Sequence, residues 1–273
     1  MSVTDAAALI ADAGAIVITA GAGMGVDSGL PDFRGSDGFW QAYPALGALG
    51  MPFTAIASPA SFRRRLSTAW GFYGHRLALY RRVTPHPGFD ILRRWGARAP
   101  HGAFVFTSNV DGHFQKAGFG EDAVYECHGS IHHLQCLTPC SAAIWPADGF
   151  VPDVDDAACE LRGPAPVCPS CGGPARPNVL MFGDGGWLES RTAAQAVRLE
   201  AWLAQARRPV VVELGAGTAI PSVREFGERL LRRGAHGLVR INPRENAVPD
   251  ARAIGLAMGA LDALRAIDAA LSR

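Results

Sequence analysis

The chain lacks the features that would carry it out of a cell or into a membrane. No apolar run approaches the ~18 residues that a membrane-crossing helix needs. The first 20 residues carry Asp5 and Asp12, with no basic segment ahead of an apolar core, so no targeting signal is legible. A charge of one sign is missing too: 26 basic against 25 acidic side chains leave a formal net charge of +1 over 273 residues. Such a balance excludes a long-range field that gathers nucleic acid or an anionic membrane, and neither is expected as a partner. The one basic run, Arg63-Arg64-Arg65, reads as a solvated helix face. Six cysteines are too few for a disulfide scaffold in a chain of this size. There are no internal repeats and no long low-complexity tract. A cytoplasmic globular protein is expected.

The cysteines that are present come mostly in pairs. Cys136 and Cys140 have three residues between them, and Cys168 and Cys171 have two. In a reducing compartment such pairs read as metal ligands, and tetrahedral Zn2+ favours thiolates. Cys168-Pro169-Ser170-Cys171-Gly172-Gly173 has the small residues of a knuckle that turns the backbone around a metal. Four thiolates leave no open position, so the zinc is expected to be structural. The loop between the pairs is too polar and proline-rich to build a core. Zinc binding, worth roughly 10–16 kcal/mol in small sites, would supply its folding energy. Cys127 and Cys159 have no partner at ligand spacing and are expected to pack as small hydrophobes or lie exposed. His132 and His133 are spare ligands that four cysteines make unnecessary.

Outside this block, short apolar runs alternate with helical patterns. Ala15–Ala20, Phe104–Thr107, Val210–Leu214 and Leu238–Ile241 suit buried parallel strands. Thr4–Ala13, with Thr4 as N-cap, and Gly88–Arg98, Glu189–Arg207, Pro221–Arg233 and Ala257–Leu271 have helical periodicity. The alternation predicts an α/β fold, a doubly wound, Rossmann-like parallel sheet. Two segments interrupt it. Gly35–Arg82 opens Gly/Pro-rich and becomes one long helical pattern from Ser58, and Gln135–Arg176 holds the cysteines. The expected organisation is a Rossmann-like domain of residues 1–35, 83–134 and 177–273. Residues 36–82 and 135–176 would form a smaller helical and zinc-binding domain.

After the first strand runs Gly21-Ala22-Gly23-Met24-Gly25-Val26-Asp27-Ser28-Gly29-Leu30-Pro31-Asp32-Phe33-Arg34-Gly35. Its opening glycines let the backbone approach a pyrophosphate near a helix N-terminus. The whole run resembles the GAGxSxxSGIPDFRG signature of the sirtuins, NAD-dependent protein lysine deacylases. Further motifs follow in order: Gly38-Phe39-Trp40, Thr107-Ser108-Asn109-Val110-Asp111-Gly112, His128-Gly129-Ser130, Arg176-Pro177 through Phe182-Gly183-Asp184, Gly215-Ala216-Gly217-Thr218 and Ile241-Asn242-Pro243. The cysteine quartet stands where that family keeps zinc.

The resemblance implies NAD as cofactor, acyl-lysine proteins or peptides as substrates, and transfer of the acyl group to ADP-ribose with release of nicotinamide. It makes His128 the base, since imidazole titrates near the operating pH. Asn109 would orient a water and the ribose, and Asp111 would bind the nicotinamide carboxamide. Gly21, Ala22, Gly23, Asp32, Phe33, Arg34, Trp40 and Ser108 would belong to the cofactor site, with Phe33 shielding the reactive carbon. Gly215, Gly217 and Asn242 fall on the adenosine side. Val179, Phe182 and Gly183 would add the substrate peptide as a strand.

The helical segment implies an acyl preference. Ala57, followed sixteen residues later by Tyr73-Gly74-His75-Arg76, resembles the desuccinylase and demalonylase branch, where an alanine widens the pocket and a Tyr-x-x-Arg pair holds the acyl carboxylate. Tyr73 and Arg76 share one helix face. A guanidinium in an apolar channel suits a planar carboxylate. Leaving it without that partner costs roughly 2–5 kcal/mol, so succinyl-lysine is expected to beat acetyl-lysine. The chain departs from the family pattern at Gly25, Ser108, Asp184, Ala216 and Gly217, mostly around NAD. Protein ADP-ribosyl transfer, NAD hydrolysis and a non-enzymatic NAD or ADP-ribose sensor therefore stay open beside deacylation. Oligomeric state has no signal in the sequence.

Overall fold

In the computed structural model, residues 2–31 and 35–272 are described, with backbone alone for residues 35–38. Eleven strands are present among them: β1 (Ala15–Ala20), β2 (Ala103–Thr107), β3 (Val124–Glu126), β4 (Gly129–Cys136), β5 (Ile144–Pro146), β6 (Val154–Asp155), β7 (Glu160–Leu161), β8 (Ala175–Val179), β9 (Pro209–Leu214), β10 (Gly237–Ile241) and β11 (Ala253–Leu256). Six of them form one parallel sheet in the order β11-β10-β9-β1-β2-β3. All six residues of β1 are buried, which explains its unbroken apolar run: both faces of a parallel sheet are covered.

Helices supply the covers: α1 (Val3–Ala11), α2 (Gly35–Ala42), α3 (Pro44–Ala48), α4 (Phe53–Ile56), α5 (Pro59–Arg64), α6 (Leu66–Arg82), α7 (Gly88–Arg98), α8 (His113–Lys116), α9 (Ser190–Gln205), α10 (Ser222–Arg232) and α11 (Ala260–Leu271). Ile16 and Ile18 of β1 pack with Ile10 of α1, Leu92 and Trp95 of α7, and Leu264 of α11. Val17, pointing the other way, packs with Leu199 of α9 and Phe226 and Leu230 of α10. The period-2 alternation of a strand thus splits one sequence run between two cores.

A third core lies outside the sheet. Phe39, Phe62, Trp70, Phe72 and Tyr73 from α2–α6 meet Leu134, Leu137 and Leu161 from the cysteine-bearing segment. Trp70 donates its indole N–H to the Ala175 carbonyl, 3.1 Å away, which ties the two segments together. Here β4 pairs with β5 and β8 in an antiparallel sheet, and β6 pairs with β7.

The differences from the sequence reading have local causes. Ser2, not Thr4, caps α1: its hydroxyl accepts from the Asp5 amide while the Asp5 carboxylate accepts from the Ser2 amide, a capping box. The long helical pattern from Ser58 is two helices, broken at Arg65, whose φ of −144° and ψ of 63° are not helical. The glycine-rich stretch after residue 35 opens as a helix because Phe39 is held edge-on or tilted against Tyr43, Phe53 and Phe72. Strands β3 and β11 were missed; with three and four residues at the two sheet edges they carry too little pattern to read.

Candidate active site

Adjacent parallel strands β1 and β9 begin the two halves of the sheet, and their chains leave in opposite directions, so a crevice opens at their carboxyl ends. The turns that follow touch each other. Gly215, at φ +59°, lies so close to the first turn that a Cβ there would sit 2.3 Å from the Gly23 carbonyl carbon. Met24 and Gly25 close 3₁₀ turns onto Gly21 and Ala22, so the residues after β1 form two 3₁₀ turns, Ala22–Met24 and Val26–Ser28, in place of the expected α-helix N-terminus. Asn109 ties the β2 end to the same place, donating its side-chain amide to the Gly21 carbonyl at 3.0 Å. Asn242 donates to the Ala216 carbonyl at 2.9 Å and accepts from the Arg244 and Glu245 amides, so it fastens the turn after β9 from behind.

These turns border a cleft of about 760 Å³, within the range of small-molecule sites. Gly21, Ala22, Gly23, Ser108, Asn109, Asp111, His128, Gly215 and Gly217 all line it. His128 precedes β4, and Gly129 after it is required: at φ +77°, a Cβ there would lie 2.1 Å from the Asn178 carbonyl oxygen of β8. The His128 carbonyl accepts from Leu180, which holds the residues after β8 beside the imidazole. Burial lowers the imidazole pKa from its ordinary 6.5, against a hydrogen bond to the Ser108 backbone that raises it. The Asp111 carboxylate is buried and accepts from the His113 amide at 2.9 Å.

The same cleft is lined by Ala57, Tyr73, Arg76, Tyr80, Val179 and Phe182. Arg76 is 9 % exposed, and its guanidinium carbon lies 5.2, 5.7 and 5.4 Å from the ring centroids of Phe72, Tyr73 and Tyr80. Its Nε donates to the Tyr80 hydroxyl at 2.9 Å. Cation–π contact and this hydrogen bond reduce the cost of holding the charge away from water. Burial pushes the Tyr73 phenol up to about 12 and raises Tyr80 as well, so both hydroxyls stay protonated donors at neutral pH. Tyr80 was not found from the sequence, although it follows Arg76 by one helical turn and continues the stripe begun at Tyr73.

Residues 21–202 match the Sir2 family, two thirds of the chain. The chain belongs to the Sir2 family. It is 31 % identical to NAD-dependent protein deacylase 1 of Pseudomonas aeruginosa over 86 % of each chain. Against the NAD-dependent protein deacylase of Methylococcus capsulatus it is 29 % identical, over 88 % of this chain and 86 % of the relative. The fold is shared with a Sir2 homologue solved as an NAD complex, with a TM-score of 0.76 over 98 % of this chain and 93 % of that one, at 23 % identity.

Not every residue singled out in this sirtuin lies on the cleft. Trp40 donates to the Met51 carbonyl at 3.0 Å and packs beside Gly47; with Gly183 and Asn242 it stands outside the lining. Asp32, Phe33 and Arg34 fall outside the described residues. The Leu180, Met181 and Phe182 amides donate to His128, Asp184 and Ala57 respectively. Asp184, one carbon shorter than the family's glutamate, forms a fully buried two-pronged pair with Arg176 at 2.7 and 2.8 Å.

The four paired cysteines converge. Their sulfurs lie within 4.8 Å of one another, with Cys136–Cys171 at 3.7 Å and Cys140–Cys168 at 3.6 Å. Zn–S bonds of ~2.3 Å in a tetrahedron put sulfurs about 3.8 Å apart, so the donor set fits Zn2+ with all four positions filled. His132 is used elsewhere: its Nε2 is 2.8 Å from the Asp111 carbonyl oxygen. Cys159 is buried and Cys127 half-buried, and burial raises both thiols to about 12, so they are inert packing. Among the described residues no helix is long and apolar enough to cross a membrane.

Proposed function

We propose that this chain is an NAD-dependent protein lysine deacylase that prefers acyl groups ending in a carboxylate. One observation carries the reading: the imidazole of His128 and the buried guanidinium of Arg76 line the same cleft. The names of its relatives supply the reaction class. NAD, when bound, supplies the ribose carbon that loses nicotinamide and the hydroxyls that take up the acyl group.

The protein's own part is binding and proton control. Its lowered pKa keeps His128 neutral at pH 7, ready to accept a proton from a ribose hydroxyl. Asn109 would orient that sugar, and Asp111 would hold the nicotinamide carboxamide. Backbone of the Gly21–Gly23 and Gly215–Gly217 turns, which line the cleft, would hold the phosphates and adenosine, with Asn242 fastening the second turn. By resemblance, Asp32, Phe33 and Arg34 would belong to the cofactor site, while Trp40 lies off the cleft lining. Val179, Phe182 and Gly183 receive the peptide, and Ala57 leaves width for its acyl chain. Tyr73 and Arg76 grip the distal carboxylate. Because Arg76 already has aromatic and hydroxyl partners, the discrimination falls below that for a bare charge. A charged hydrogen bond worth ~1.5–3 kcal/mol corresponds to a preference of roughly 10–100-fold.

The test is to incubate the protein with NAD and succinyl- or acetyl-lysine peptide and to follow nicotinamide and acyl-ADP-ribose by mass. Peptide-dependent acyl-ADP-ribose, formed faster from succinyl-lysine, is expected. Nicotinamide without need of peptide would make it a glycohydrolase, labelled protein a transferase, and NAD binding without turnover a sensor. Arg76→Met is expected to lose desuccinylation far more than deacetylation; equal losses reject the acidic pocket.

A further inference from the structure

A second cavity lies beside Ser222, the residue that touches His128. About 290 Å³ in volume, it is lined by Phe106, Tyr125, Glu200, Ser222, Glu225 and neighbouring side chains of α9 and α10. Glu200 and Glu225 are exposed, so it reaches solvent. Ser222, the first residue of α10, stands between this cavity and the cleft: its Oγ is 3.3 Å from His128 Nε2. The ring's other polar partner is the Ser108 backbone, which favours the charged imidazole. A backbone group does this as a carbonyl accepting a ring N–H.

We propose that Ser222 is a positioning residue for His128, donating to Nε2 while the ring is neutral and accepting from it once Nε2 is protonated. The inference rests on reading His128 as the base. In the tautomer that carries its hydrogen on Nδ1, Nε2 is the nitrogen with a free electron pair, and the serine hydroxyl, 3.3 Å away, holds it in place. When Nε2 takes a proton from a hydroxyl in the cleft, that O–H bond breaks and an N–H bond forms. No proton leaves the serine. Its hydroxyl rotates, so that Oγ accepts from the new N–H and its own hydrogen turns to water in the side cavity. A hydroxyl sealed in an apolar wall would have no second acceptor to turn to, so the side cavity is needed. The charge-assisted bond in the protonated state is the stronger of the two, so Ser222 stabilises the imidazolium.

The charged and titratable groups that share a cavity with His128 or Ser222 include Asp111 and Arg76 in the cleft, and Tyr125, Glu200, Glu225 and Arg229 in the side cavity, with Cys127 next to His128 in the chain. None is a cause of the imidazole's shift, which comes from burial and Ser108. The test is Ser222→Ala and Ser222→Thr in the full-length protein, beside His128→Ala. Alanine is expected to lower kcat about 10-fold while moving KM for NAD and peptide less than about 2-fold, as loss of one charged hydrogen bond in the transition state implies. The acid limb of its kcat profile should move to lower pH, and the 15N resonance of Nε2 should shift. Threonine, which keeps the hydroxyl, should restore all three. An alanine variant with wild-type kcat and an overlapping pH profile overturns the proposal, as does threonine behaving like alanine. If His128→Ala retains turnover, the reading of His128 as base falls and this inference with it. If His128→Ala is dead and Ser222→Ala is unaffected, only the inference falls.

Discussion

Glycines at positions 21, 23, 215 and 217 form one part of the cleft wall, while Tyr73, Arg76 and Tyr80 form another. The first part is backbone against backbone: Gly215 fits only because it carries no side chain, and a Cβ on Gly21 would meet Gly215 and Ala216 backbone at 2.9 Å. The second is built from large side chains on one face of α6, held by ring contacts and one hydrogen bond to a guanidinium. Backbone that must touch backbone tolerates no alternative residue, so its motif is stretched along the sequence and easy to read. A side-chain pocket tolerates many solutions, so it identifies itself only through a few residues in register. On the proposed reading, cofactor binding falls to the backbone part and the choice of acyl group to the side-chain part.

Three experiments bear on that contrast. The largest effect is expected from the cysteine module, which braces the α6 side of the cleft through Leu137 and the Trp70–Ala175 hydrogen bond. Stripping zinc with a chelator, or Cys168→Ser, should melt residues 136–175 and with them the α6 pocket, since ~10–16 kcal/mol of metal binding is folding energy here. Hydrogen exchange should show that region opening ahead of the parallel sheet; uniform opening of the chain would break the division.

Gly215→Ala should come next. The added methyl meets Gly23 backbone at 2.3–2.4 Å, at a φ of +59° that disfavours a side chain. A loss of roughly 2–4 kcal/mol in denaturant unfolding is expected, with weaker NAD binding by calorimetry. Unchanged NAD affinity would mean that the two turns do not form one binding surface.

Tyr80→Phe is the mildest. It keeps the ring against Arg76 and removes only the acceptor of the Nε hydrogen bond. Desuccinylation should fall about 5-fold, equivalent to ~1 kcal/mol, with deacetylation little changed. A variant that loses both activities equally would place Tyr80 in the cofactor half and blur the contrast.

The sequence was legible where a residue does one job that no other residue can do. The apolar runs of β1, β2, β9 and β10 gave the sheet, and the cysteine spacing gave the metal site. Tyr80 escaped notice because an aromatic at helical spacing is ordinary core until its hydroxyl is seen at a guanidinium. Ser222 escaped for a different reason: it begins a helix 94 residues away from the histidine it touches. Asn242, expected on the adenosine side, lies off the cleft lining, and its amide fastens the turn after β9.

By itself the chain's order of residues determined the strand and helix alternation, the thiolate quartet and the run of glycine turns, because each follows from neighbours a few positions apart. Only the tertiary structure decided which side chains share a cavity. Arg76 reaches His128's cleft, and Ser222 its imidazole, through contacts between elements far apart along the chain. Burial then sets the protonation of the groups gathered there, since removing water from a charged ring or phenol depends on everything packed around it.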